Sequence, residues 1–131
     1  MEYVRYIMAV VGTALNYLLG GWEAALVALV AFVVLDFITG VLAAFVNKKL
    51  DSRLGAKGIV HKVGVFVVVG VANVLDGILG LPDPMLRQMA IWFYIATEGM
   101  SILENIGAAG APIPPVIRQA LERLKDEHAD V

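Results

Sequence analysis

The sequence predicts an all-α, polytopic integral membrane protein. It has three clear transmembrane helices, an N-terminal apolar helix that either spans the bilayer or lies in its interface, and a short C-terminal amphipathic helix. Three observations predict this architecture. The 131 residues are 60% hydrophobic and 17% charged, with a mean hydropathy of +0.80, a balance foreign to soluble domains. Apolar runs of about 20 residues, the length that crosses a ~30 Å hydrocarbon core, recur along the chain. The charges are gathered into the connectors and the tail. No internal repeat divides the chain, so residues 1–131 read as a single membrane domain.

Residues 3–19 are apolar but short, and Tyr6, Thr13, Asn16, Tyr17 and Gly20 fall on one face at helical spacing. That face turns toward neighbouring helices if the segment spans, or lies at headgroup level if it is interfacial. Arg5 is the one basic residue ahead of the apolar part and no small-x-small cleavage site follows, so the segment is expected to be retained rather than removed as a signal peptide. Gly20-Gly21 breaks the helix, and Trp22 and Glu23 stand where the next span meets water.

Residues 24–46, AALVALVAFVVLDFITGVLAAFV, form an unbroken apolar run with a single acid, Asp36. As a helix the run reaches about 34 Å. An acid at the centre of a spanning helix costs ~2.5–3.5 kcal/mol, so Asp36 is expected to face protein or water.

In the connector 47–62, Lys48, Lys49, Arg53, Lys57 and Lys62 stand against one acid, Asp51. A basic loop between two apolar runs belongs in the cytoplasm, where anionic headgroups are sufficient partners and nucleic acid need not be invoked. Gly55-x-x-Gly58 lacks the spacing and the Lys-Ser/Thr ending of a phosphate loop.

The second clear span is 63–81, ended by Pro82-Asp83-Pro84, and the third is 85–106, which carries Arg87, Glu98, Glu104 and Asn105. Residues 107–115, GAAGAPIPP, read as a hinge or surface connector. The tail 116–128 restarts a helix with Ile117, Ala120, Leu121 and Leu124 on one side. Arg118, Glu122, Arg123, Lys125, Asp126 and Glu127 occupy its other side. Such a helix is expected to pack on its own protein or on a partner copy before it binds a membrane surface. With four passes both termini lie in the cytoplasm beside the basic loop; with three the N-terminus moves outside. The Gly-Gly turn and Arg5 favour four.

Helical spacing turns the polar residues of the spans into stripes. Asp36, Thr39, Gly40, Ala43 and Asn47 share a face, Asn73, Asp76 and Gly80 another, and Arg87, Tyr94, Glu98, Ser101 and Asn105 a third, widened by Thr97 and Glu104. Small and polar residues are what helix contacts in lipid are made from. The acids Asp36, Asp76, Glu98 and Glu104 face only Arg87 among the span residues. Some of these carboxyls are therefore expected to be protonated, hydrated or paired between subunits.

Chemistry other than binding finds little support. The chain has no cysteine, which excludes disulfides, zinc-thiolate sites and thiol nucleophiles together. Asp36 and Glu98 would be the carboxylate pair of an intramembrane hydrolase, but no nucleophile and base recur beside them. His61 and His128 stand alone at surface positions, no metal ligand set is assembled, and no cofactor is implied.

Two motifs carry a family resemblance. Leu35-Asp36-x-x-Thr39-Gly40 with Ala43-Ala44, Lys48-Lys49-Leu50, Ser52, Gly58 and Lys62 resembles the first signature of the bacteriophage holins grouped with the clostridial toxin-secretion holins. Glu98-Gly99-x-Ser101-Ile102-x-Glu104-Asn105, followed by Gly110-x-Pro112-Ile113-Pro114, resembles the second. Together they reach from Leu35 to Leu124, leaving the N-terminal segment without a signature.

The resemblance implies a protein of the bacterial cytoplasmic membrane that assembles into homo-oligomers. These open holes through which an endolysin reaches the peptidoglycan or a large toxin escapes. On that reading Asp36, Thr39, Gly40, Asn73, Asp76, Glu98, Ser101, Glu104 and Asn105 are candidates for oligomer contacts or the hole's lining. Lys48, Lys49, Arg53, Lys57 and Lys62 are candidates for anionic-lipid contact and topology. The alternative is a non-pore adaptor, or a small ion channel, whose membrane acids only hold helices together.

Overall fold

The computed structural model describes residues 1–129, apart from the side chains of Leu54 and of 127–129, so the side chain of His128 lies outside the described residues. The described chain is all-helical: α1 Glu2–Leu19, α2 Ala24–Val46, α3 Ser52–Leu79, α4 Met85–Ala108 and α5 Pro115–Ala129.

The break between α1 and α2 follows from Gly20 and Gly21, whose φ values of 86° and 113° are open to glycine and strained for other residues. Both amides donate to the Asn16 carbonyl at 3.0 Å, closing α1 with a left-handed cap.

The basic connector expected over 47–62 is mostly helix. Asp51 caps α3 by accepting the Arg53 amide at 2.9 Å, and the helix then runs 28 residues through Lys57 and Lys62 to Leu79. The reason is local: the cap, followed by helix-forming Arg and Lys, outweighs Gly55 and Gly58, each costing only about 1 kcal/mol in a helix interior. At about 42 Å, α3 exceeds the hydrocarbon core, so its first turns form a basic stem on the span.

α4 is the central helix. It packs against α2, α3 and α5, whereas α1 packs along α3, meets the rest of the bundle through Leu19 at its end, and leaves residues 2–11 exposed. The core is built from Leu26, Leu29 and Val33 of α2, Val65 and Val69 of α3, and Ile91 and Ile95 of α4, closed by Leu19. α1 is seated where Leu18 meets α3: a Cβ on Gly70 would lie 3.2 Å from Leu18 Cγ.

Among the described residues two helical stretches are long and apolar enough to cross a membrane, Ala24–Val46 and Gly55–Leu79. Only 22% of each is buried, where a core helix of a soluble protein would be mostly covered, and what they leave outside is apolar: Val27, Val34, Leu42, Val67, Val71, Ile78. α4, counted from sequence as a third clear span, falls below that level of apolarity, because it carries Arg87, Glu98, Glu104 and Asn105.

Candidate functional site

The polar residues of the spans gather into two networks, one midway along α2 and α4 and one where α1 ends and α4 begins. The network nearer the basic stem is centred on Lys62. Its ammonium forms ion pairs with Asp36 of α2 and with Glu98 of α4, the latter at 3.0 Å, so one cation on α3 joins all three helices. The Lys62 and Asp36 side chains are 13% and 15% exposed, and that of Glu98 only 2%.

Asn105 completes this network from α4. Its Nδ2 donates to Asp36 Oδ1 at 2.9 Å, to Thr39 Oγ1 at 3.0 Å and to the Asp36 carbonyl at 3.1 Å. Thr39 in turn donates to the Leu35 carbonyl at 2.7 Å, which fixes its oxygen as the acceptor for Asn105. Gly40 lies beside it: a Cβ there would stand in ordinary contact with Asn105, 3.5 Å from its Nδ2. One face of a cleft of about 370 Å³ between α2 and α3 is formed by Asp36, Gly40, Lys62 and Asn105, with Lys49 and His61 nearer its rim.

The other network is centred on Arg87, which is 3% exposed. Its guanidinium donates to the carbonyls of Leu19 and, at 2.8 Å, Gly21, and it pairs with Glu23. The arginine thus satisfies the orphan carbonyls where α1 ends, a position that favours a cation. Asp76 accepts the amides of Leu86 and Arg87, each at 2.9 Å, and so caps α4 from α3. Asn73 donates to the Leu18 carbonyl at 2.9 Å, tying α1 to α3.

The expectation that the span acids could not all be satisfied within one chain is corrected for Asp36, Asp76 and Glu98, while Glu104 stays exposed. Asp36 and Glu98 share Lys62, Asp76 caps a helix, and among the described residues no buried side-chain nitrogen or oxygen lacks a partner. The missing cation is Lys62: expected in the loop 47–62, it lies on α3 and turns inward. Its signal was available, since Lys62 is the last cation before an apolar run and two unpaired acids require one.

Of the remaining candidates, Ser101 is half-buried and Glu104 is exposed on α4, while Lys48, Lys49, Arg53 and Lys57 are exposed on the stem and the turn before it. Among the described residues no cluster of three or more His, Asp or Glu is arranged to hold a metal.

An all-helical chain with two lipid-compatible helices and charges tied inside the bundle is a small helical membrane protein. Residues 13–126 match the bacteriophage holin family, and the chain belongs to that family, which is not one of enzymes. It is 41% identical over 95 residues to a probable holin of Bacillus phage phi105, covering 72% of this chain and 70% of that protein. It is also 38% identical over 127 residues to an uncharacterized 14.9 kDa protein of Clostridium perfringens, covering 97% and 96% of the two chains. The uncharacterized protein YqxH of Bacillus subtilis is 40% identical over 111 residues, covering 85% and 78%. No solved structure matches the chain.

Proposed function

We propose that this protein is a holin that assembles into homo-oligomers in the bacterial cytoplasmic membrane and opens holes large enough for an endolysin, or a large toxin, to pass, without catalysing a reaction. Membership of the holin family carries the reading. The basic stem of α3 and the connector before it lie on the cytoplasmic side, together with the connector from which α5 starts. α4 crosses as the third span, which its own apolarity would not allow, because Glu98 and Arg87 are neutralised inside the bundle before lipid is met. Endolysin or toxin needs no direct contact with the chain, only the opening.

Complementation of a holin-defective lysis cassette tests this. The expected outcome is abrupt, endolysin-dependent lysis at a reproducible time; cells that carry the protein in their membrane and keep growing would overturn the reading.

One observation favours a second role for the acids themselves. Asp36, Glu98 and Asn105 are satisfied within one chain, as expected for residues that hold helices together. If that were the whole function, the protein would be a membrane adaptor, and induced cells would exclude an impermeant dye that a holin admits.

A further inference from the structure

α5 returns antiparallel along α4. Ile113 lies against Gly107, Leu121 against Gly99, and Lys125 over the Phe93 ring at 5.9 Å. The Gly99 contact is close: a Cβ there would stand 3.0 Å from both Leu121 methyls and 3.2 Å from Phe32. Leu124 joins the core. α5 is therefore an integral layer of the bundle rather than a loose tail.

This seat sets the depth of its charges. Gly99 and Phe93 lie about 13 and 22 Å back from the end of α4 at Ala108, which is mid-bilayer if α4 spans a ~30 Å core. Level with them, Glu122, Arg123 and Asp126 are exposed on the outer face of α5, and Lys125 is exposed at its flank above Phe93. Lipid does not accept such a mixed row of ionised side chains at that depth. The outward faces of α2 and α3 are apolar instead. The bundle as a whole is thus amphipathic, with α2 and α3 turned to lipid and the α4–α5 side turned to something wet.

We propose that the α5 side of each subunit is the wall that faces the aqueous lumen of the assembled hole, with α5 still seated on α4. This rests on the hole-forming reading above. It reassigns the lining: Asp36, Thr39, Glu98 and Asn105 are already satisfied by one another and by Lys62, so they have no need of water, whereas the α5 charges do.

The absence of cysteine makes the test direct. The double variant Phe93→Cys/Lys125→Cys is purified in detergent, bridged with a short, reducible bis-methanethiosulfonate, and reconstituted into vesicles loaded with a folded reporter protein. The bridged protein is expected to release the reporter as fast as its reduced form and as the cysteine-free parent. Retention by the bridged form, relieved by reductant, would overturn the proposal by showing that α5 has to leave α4. A parent that itself releases nothing overturns the hole-forming reading, and this inference with it. In the same vesicles Glu122→Cys should react with a charged, water-soluble thiol reagent at least tenfold faster than Val71→Cys on the outer face of α3. Equal rates would place both faces in the same medium and sink the assignment.

Discussion

The two polar networks solve the same problem, a charge inside an apolar bundle, in different ways. Around Arg87 most partners are backbone: the carbonyls of Leu19 and Gly21, with Asp76 holding the amides of α4's first turn. Glu23, the carboxylate paired with it, is 41% exposed. Around Lys62 every partner is a side chain on another helix, and all are largely withdrawn from water. The Arg87 cluster therefore pins turns and helix ends, while the Lys62 cluster sets how α2, α3 and α4 sit side by side. A backbone carbonyl stays where the helix puts it, but a buried carboxylate depends wholly on its cation.

That contrast predicts an order of effects. Lys62→Met leaves Asp36 and Glu98 without their shared cation and should cost about 3–5 kcal/mol, seen as loss of folded protein in membranes or detergent. The triple variant Lys62→Met/Asp36→Leu/Glu98→Met should recover much of it; a single variant as stable as the parent would break the comparison at its root. Arg87→Lys keeps the charge but loses the planar fork that reaches two carbonyls and Glu23, for a cost of about 1.5–3 kcal/mol in thermal unfolding. If lysine served equally well, the cluster would need only charge.

Asn105→Ala removes the donor to Asp36 and Thr39 and should cost about 1–3 kcal/mol, with faster amide exchange where α2 meets α4. Exchange unchanged in both helices would argue that Lys62 alone sets the register. The smallest effect belongs to Glu23→Gln. Its carboxylate is half in water and Arg87 keeps both carbonyls, so the change should stay within about 1 kcal/mol. A loss as large as that of Lys62→Met would mean that the two networks do not differ in kind.

Much of the fold was legible in the sequence, because helicity and lipid-compatibility are local properties. The run Ala24–Val46, the Gly20-Gly21 break and the amphipathic tail each carry their own period or cap. The stripes were legible too, and Asp36, Thr39 and Gly40 do share the face that meets Asn105. The boundary of α3 was not, since a basic segment looks like a loop until Asp51 is seen capping it.

The sequence by itself determined that this chain is helical, rich in long apolar runs, and built around acids that need partners. Only the tertiary structure decided who those partners are. A period of 3.6 residues assigns a residue to a face but says nothing about which neighbour that face meets, or at what height. Height is what brings Lys62 between Asp36 and Glu98, and it is also what sets the charges of α5 beside Phe93 and Gly99 in the middle of α4. Both follow from how long helices pack together, a sum of contacts distant in sequence.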